Sequence, residues 1–392
     1  MKRYKCILFA AALAAALGLL LAGCGAPAET PEPSGGGETP AVEGAAPQSA
    51  PTEEEIAAAL AADMTTEEKV GQLFFVRCPE TGAAEAVAAY HLGGVLLFGR
   101  DFEGKTYGQV RAETDGLQAA AEIPLLIGVD EEGGTVVRAS SNRHLRAQKF
   151  PSPQALYRAG GMEAVAADAA EKSSFLLGLG INVNFAPVCD VSTDSGDFIY
   201  DRAFGQDAAA TSDYAETVTA AMDAAGIGAV MKHFPGYGDN VDTHTGIAVD
   251  QRPYETFETS DFLPFAAGMT SPTAAVLVSH NIVVSMDETL PASLSPEVHR
   301  VLREELGFTG VAMTDDLAMD ALAQYSADGS AAVLAVQAGN DMIVTTDYES
   351  QIPAVIAAVE DGRISEERLD EAVTRVLAWK IRLGLIAPEG EP

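Results

Sequence analysis

Eight short apolar runs recur along this 392-residue chain, at residues 73–76, 93–98, 125–130, 182–187, 229–234, 275–280, 310–315 and 342–346. Each is bounded by polar or turn-forming residues. Runs this short read as strands covered on both faces, since a buried helix needs about twice the length. Most of the segments between them are alanine-rich and helical in pattern, as at 162–177, 211–225 and 296–306. The length suits two average domains or one large barrel. Strand and helix alternating eight times predict a single (β/α)8 TIM-type barrel. A doubly wound open sheet, the competing arrangement, fits the count and the even spacing less well. Thr65 or Thr66 ahead of Glu67-Glu68 marks one helix start, and Ser365 ahead of Glu366-Glu367 marks another over 364–385. Few residues follow that helix, so no second domain is expected.

The amino end has a different character. Lys2, Arg3 and Lys5 precede an apolar core over 7–21, and Leu21-Ala22-Gly23-Cys24 resembles a bacterial lipobox. There the cysteine is lipidated and becomes the new amino terminus. Small residues directly before a cysteine favour this over an ordinary cleaved signal or an anchor helix. Residues 1–23 are thus expected to be a lipoprotein signal peptide, with lipid on Cys24. Residues 24–52 are dominated by Ala, Pro, Glu, Gly and Ser, cannot bury a core, and read as a disordered, flexible tether. The folded part, 53–392, is then extracytoplasmic and lipid-anchored to the bacterial cell membrane. Cys6 goes with the signal. Cys78 and Cys189 are spaced like neither a zinc site nor a redox pair, and read as buried small residues without support for a disulfide. The formal charge is −33, from 24 basic and 57 acidic side chains. So acidic a surface argues against nucleic acid and against docking on anionic lipid or wall polymer, and is compatible with a neutral sugar.

In such a barrel the C-terminal strand ends converge on one mouth, where active sites lie. The runs end at or near Asp130, Asp190 and then Arg202, Lys232-His233, His280, and Asp315-Asp316. The fifth run breaks at Pro235-Gly236 into a loop carrying Asp242 and His244. With one residue between them, the carboxylate can set the imidazole tautomer and raise its pKa, as general acid/base work requires. Alone, an Asp-x-His is more often a surface loop whose polar groups cap one another. The convergence of many charged strand ends favours the catalytic reading. A sugar-cleaving barrel also needs a nucleophilic carboxylate. Asp315 ends its strand and should point into the mouth, whereas Asp316 opens the next loop and should point aside.

The segment Leu302-Arg303-Glu304-Glu305-Leu306-Gly307-Phe308-Thr309-Gly310-Val311-Ala312-Met313-Thr314-Asp315 resembles the nucleophile signature of glycoside hydrolase family 3. Lys232 through His244 resembles the β-N-acetylhexosaminidase branch of that family. The resemblance covers about residues 64–386. It implies that Asp315 forms a covalent glycosyl-enzyme and that His244, partnered by Asp242, is the acid/base. It implies that Asp130, Arg138, Arg202, Lys232 and His233 hold the substrate, with no metal and no cofactor. Three residues depart from the pattern. Tyr237 stands where histidine is usual, Thr243 replaces serine, and Glu131 replaces glutamine, which would add negative charge near the sugar. The expected activity is that of a retaining β-N-acetylhexosaminidase on N-acetylglucosamine-terminated muropeptides or other glycans, by a monomer with no partner beyond its glycan and its lipid anchor. Rival readings are a β-glucosidase, which Asp242 and His244 argue against, a phosphorylase sharing the dyad, and a non-catalytic sugar-binding lipoprotein, which intact Asp315 and His244 argue against.

Overall fold

The computed structural model describes residues 51–240, 248–325 and 330–387. The signal segment, Cys24 and almost all of the tether lie outside these residues, as do Asp242, Thr243 and His244.

All eight expected strands form and pair in parallel: β1 (Phe74–Arg77), β2 (Gly94–Leu97), β3 (Leu126–Val129), β4 (Val183–Asn184), β5 (Gly228–Phe234), β6 (Ala274–Val278), β7 (Ala312–Thr314) and β8 (Ile343–Thr345). Their order is β8-β1-β2-β3-β4-β5-β6-β7. A bridge between Met313 and Met342 brings the two outer edges together, so the sheet curls into the expected (β/α)8 barrel. Strand alternation sorts the side chains. Phe75, Leu96, Leu126, Val183, Val230, Leu277, Met313 and Val344 pack inside the barrel. Their neighbours Phe74, Val76, Val95, Ile127, Val129, Ala229 and Ile343 pack outward against the helices. Gly128 faces inward, where a Cβ would come within 2.8 Å of the Phe75 and Phe185 rings. Those rings meet edge to face with centroids 5.2 Å apart, so the missing side chain makes room for the pair. The same period sends Arg77 and Lys232, within their strands, and Asp130 and Asp315, one residue past theirs, into the mouth.

The opposite end is closed by the last helix, Glu366–Arg382. Its Ser365 cap accepts the Arg368 N–H at 3.1 Å. Trp379 joins the interior cluster. A Cβ on Gly228, the first residue of β5, would lie 2.8 Å from its ring, and its Nε1–H donates to the Thr273 carbonyl at 2.9 Å, just ahead of β6. The first helix, Glu53–Ala62, packs along this last one. Thr65 and Glu68 cap each other reciprocally at the start of Thr66–Gln72.

Departures from the sequence reading have local causes. The fourth run was expected over 182–187, yet only Val183–Asn184 is regular strand, although the Phe185 N–H still donates to the Val129 carbonyl at 2.9 Å; Pro187, at the end of the run, has no N–H to give a ladder. The helix expected over 162–177 is longer, Pro153–Gly178, with a joint at Gly160 and Gly161. The helix over 296–306 keeps α turns only through Arg300 and widens to π turns over Val301–Glu305. A two-strand ladder, Val249–Asp250 with Ile282–Val283, lies outside the barrel sheet.

Candidate active site

Polar groups from β3, β5 and the segment after β4 meet in the mouth. Lys232 Nζ lies 2.7 Å from Asp130 Oδ1 and 2.7 Å from Glu132 Oε1. Glu132 also takes two bonds from Arg202, at 2.8 Å from Nη2 and 3.1 Å from Nε. Burial opposes ionisation of Glu132, but Lys232 and Arg202 outweigh it and hold the carboxyl below the usual range. Arg202 Nη2 lies 3.1 Å from His233 Nε2. A guanidinium has only donors, so Nε2 accepts, and the ring proton sits on Nδ1, 2.7 Å from Asp190 Oδ2. The other oxygen of Asp190 accepts the Tyr237 N–H at 2.7 Å. Tyr237 is buried, with its ring edge-on to His233.

Arg138 is set from behind. Glu131 is wholly buried, and its carboxylate accepts the N–H groups of Arg138 at 2.9 Å and Ala139 at 2.8 Å, and the Ser140 hydroxyl. This corrects the expectation that Glu131 places charge beside the sugar. Alternation turns Asp130 and Glu132 into the mouth and Glu131 away from it. Arg138 Nη2 then lies 3.7 Å from Asp130 Oδ2. Glu132 is the residue that sequence reasoning missed. Its two-residue offset from Asp130 was the available signal.

Asp315 extends β7, its N–H donating to the Val278 carbonyl at 3.0 Å. Its Oδ1 accepts the Asp316 N–H at 2.8 Å. Burial opposes its ionisation, yet His280, that N–H and Lys232 hold its carboxyl below the ordinary range. Asp316 is placed differently. Its carboxylate accepts the Ala318 N–H at 2.9 Å and the Thr346 hydroxyl at 3.3 Å, and burial raises its pKa. His280 is fully buried; its Nε2 lies 3.0 Å from the Asp316 carbonyl, which can only accept, and its Nδ1 lies 2.7 Å from Ser293 Oγ.

The loop expected to carry Asp242 and His244 is described only at its two ends, which are tied together. Asn240 Nδ2 donates to Asp250 Oδ2 at 2.8 Å. Arg252 spans Asp250 at 2.7 Å, Asp261 at 3.1 Å and the Gly236 carbonyl at 3.2 Å. Burial, opposed by Arg252, pushes Asp261 up to about 6.

Cys78 and Cys189 are free and buried, and burial pushes the Cys78 thiol up to about 12. Among the described residues, Glu68, His91 and Glu122 bring three potential metal-donor atoms within 4.8 Å of one another. They precede β1, β2 and β3, at the end of the barrel opposite Asp315.

The family model described as the glycosyl hydrolase family 3 N-terminal domain matches residues 65–379. A protein named beta-hexosaminidase from Alkalilimnicola ehrlichii is 34% identical over 71% of this chain and 80% of its own length. Beta-hexosaminidase LpqI of Mycobacterium tuberculosis is 32% identical over 89% of this chain and 92% of its own. Among solved structures, a family 3 β-N-acetylglucosaminidase from Paenibacillus sp. str. FPU-7 aligns with a TM-score of 0.77 and 34% identity, over 84% of this chain and 64% of that longer one. The M. tuberculosis LpqI structure aligns at 0.74 with 30% identity, over 85% of this chain and 97% of that one.

Proposed function

The chain belongs to glycosyl hydrolase family 3, and from that premise we propose that it is a retaining β-N-acetylhexosaminidase that removes terminal N-acetylglucosamine from muropeptides or other glycans. The relatives named beta-hexosaminidase, and the β-N-acetylglucosaminidase structure it resembles, support the activity. The observation that carries the mechanism is the contrast between two adjacent carboxylates. Asp315 is biased toward its ionised form and, among the described residues, its carboxylate takes one hydrogen bond, from the following N–H, while Asp316 is engaged in the turn.

In this reading an oxygen of Asp315 attacks the anomeric carbon. The glycosidic C–O bond breaks, and the leaving oxygen takes a proton from His244, whose ring Asp242 orients. Water then attacks the glycosyl-enzyme, His244 recovers a proton from it, and Asp315 is released. Two inversions at the same carbon retain configuration. Lys232 carries three N–H donors, of which Asp130 and Glu132 engage two. With Asp130, Arg138, Arg202 and His233 it holds sugar hydroxyls and the acetamido group in place for attack. The resemblance of Leu21-Ala22-Gly23-Cys24 to a lipobox supports an activity on the outer side of the cell membrane, tethered through Cys24.

A 5-fluoro N-acetylglucosaminyl fluoride slows release of the covalent intermediate and marks the nucleophile. Mass spectrometry of the peptide digest is expected to find the adduct on Asp315. An adduct on Asp316 would overturn the assignment.

A further inference from the structure

One side chain fastens the two described arms of the loop after β5, an outgoing arm over 236–240 and a returning arm over 248–252. Arg252 grips the Asp250 carboxylate through Nε at 2.9 Å and Nη2 at 2.7 Å. Its Nη1 lies 3.1 Å from both oxygens of Asp261, and Nη2 also reaches across to the Gly236 carbonyl at 3.2 Å. The guanidinium lies 4.4 Å over the Phe257 ring. Asp250 and Asp261 are buried, and among the described residues Arg252 is the one cation paired with either. The outgoing arm is shaped to this group. A Cβ on Gly236 would collide with Asp261 Oδ1, and one on Gly238 with the Arg252 guanidinium. Between them Tyr237 gives its N–H to Asp190, which ties this arm to the segment after β4. The returning arm is tied to the segment after β6, where the Ile282 and Val284 N–H groups donate to the Ala248 and Asp250 carbonyls at 2.9 Å each.

Stability alone is a weak account of such a cluster, because apolar residues of similar volume often serve as well as a buried ion pair. What a planar fork of fixed N–H directions adds is placement. Asp242 and His244 lie between the two arms, and misplacing a reacting group by about 1 Å can cost on the order of 10²-fold in rate. We propose that Arg252 is a positioning residue for the proton transfer: by fixing the spacing and angle of the two arms, it sets where the chain between them presents its acid/base. This rests on the hexosaminidase reading with His244 in that role. Losing Arg252 then harms the bond cleavages that need a proton more than those that do not.

The test uses the full chain and two substrates, the phenyl and the 2,4-dinitrophenyl β-N-acetylglucosaminides, whose leaving groups need a proton and scarcely need one. Arg252→Lys keeps the charge between the two aspartates and removes the fork. It is expected to lower kcat/KM on the phenyl glycoside roughly 10- to 100-fold and on the dinitrophenyl glycoside far less. Placed on top of His244→Ala, the same change should cost almost nothing further, since a residue that acts through His244 has nothing left to position. Asn240→Ala, which cuts the 2.8 Å tie to Asp250 and leaves every buried charge paired, should show the same split at smaller size and carries the test if Arg252→Lys does not fold. Equal losses on both glycosides overturn the proposal, and so does an Arg252→Lys loss that adds in full to that of His244→Ala. His244→Ala separates the two layers. If it alone slows both glycosides equally, the acid/base reading and the positioning role both fall. If it shows the split while Arg252→Lys and Asn240→Ala do not, only the positioning role falls.

Discussion

Asp316 commits its carboxylate to the Ala318 N–H and the Thr346 hydroxyl, leaving its neighbour Asp315 as the less encumbered group. Removing either therefore has a distinct signature. Asp315→Ala is expected to abolish turnover with little change in melting temperature. Asp316→Asn should retain measurable turnover while losing about 1–2 kcal/mol of stability in denaturant titration, the scale of weakened turn hydrogen bonds. His244→Ala should slow poor leaving groups on the order of 10²–10⁴ and spare nitrophenolates relatively, because only the former need the proton. Azide should restore part of the rate by replacing base-assisted water. An equal loss on every aryl glycoside, with no azide effect, would remove His244 from the acid/base role. Glu132→Gln should raise KM sharply, since two buried cations lose their shared charge.

At the scale of elements, Asp341 joins parts of the chain that meet only in the barrel. This wholly buried carboxylate sits just ahead of β8. It takes Arg303 at 2.5 Å, and Arg368 and Arg375 of the last helix at 3.1 and 3.0 Å, and accepts the Ala312 N–H at 3.0 Å. Asp341→Ala leaves three arginines facing one another, and should cost about 3–5 kcal/mol, read as a lower denaturant midpoint. Elements of this kind were legible in the sequence where one period governed them. Buried parallel strands leave unbroken apolar runs, so all eight could be placed, and Ser365 and Thr65 announced their helices. The site was legible where a charged residue stood at or near the end of such a run, as at Asp130, Lys232 and Asp315. It was not legible where orientation decided the role. Glu131 and Glu132 look equivalent in sequence, but only the pleat says that one faces backbone N–H groups and the other faces Lys232. The Arg252 clamp was hidden because its partners, Asp250 and Asp261, are brought together by a ladder and π turns that leave no periodic trace.

For the whole molecule, Lys380 and Gln72 make one contact across 308 positions of sequence. Lys380 is fully buried and its Nζ donates to the Gln72 amide oxygen at 2.6 Å. Burial lowers its pKa from 10.5 to about 7. The unfolded chain therefore binds one more proton between those values, so stability rises with pH from about 7 to about 10.5. The cost, on the order of 5 kcal/mol, is fully felt below 7. Lys380→Met should flatten that slope: its melting temperature should gain on the wild type at pH 6 more than at pH 10. Equal differences at both would show that Lys380 titrates normally. Cys24→Ser should shift the protein from the membrane fraction to the medium or block labelling by a fatty-acid probe. Retention of both label and membrane association would overturn the lipid attachment.

The first helix, Glu53–Ala62, has its packing partner in Glu366–Arg382, and Lys69 and Gln72 have theirs in Asp370 and Lys380. A ribosome makes Gln72 and Lys380 308 positions apart. While it works, the emerging amino-terminal helices have no lasting surface to settle on, and Trp379, which fills the base of the barrel, has not yet been made. Synthesis order thus becomes a folding schedule. The nascent polypeptide stays open and threadable until Glu366–Arg382 appears, and the barrel then sets as one unit.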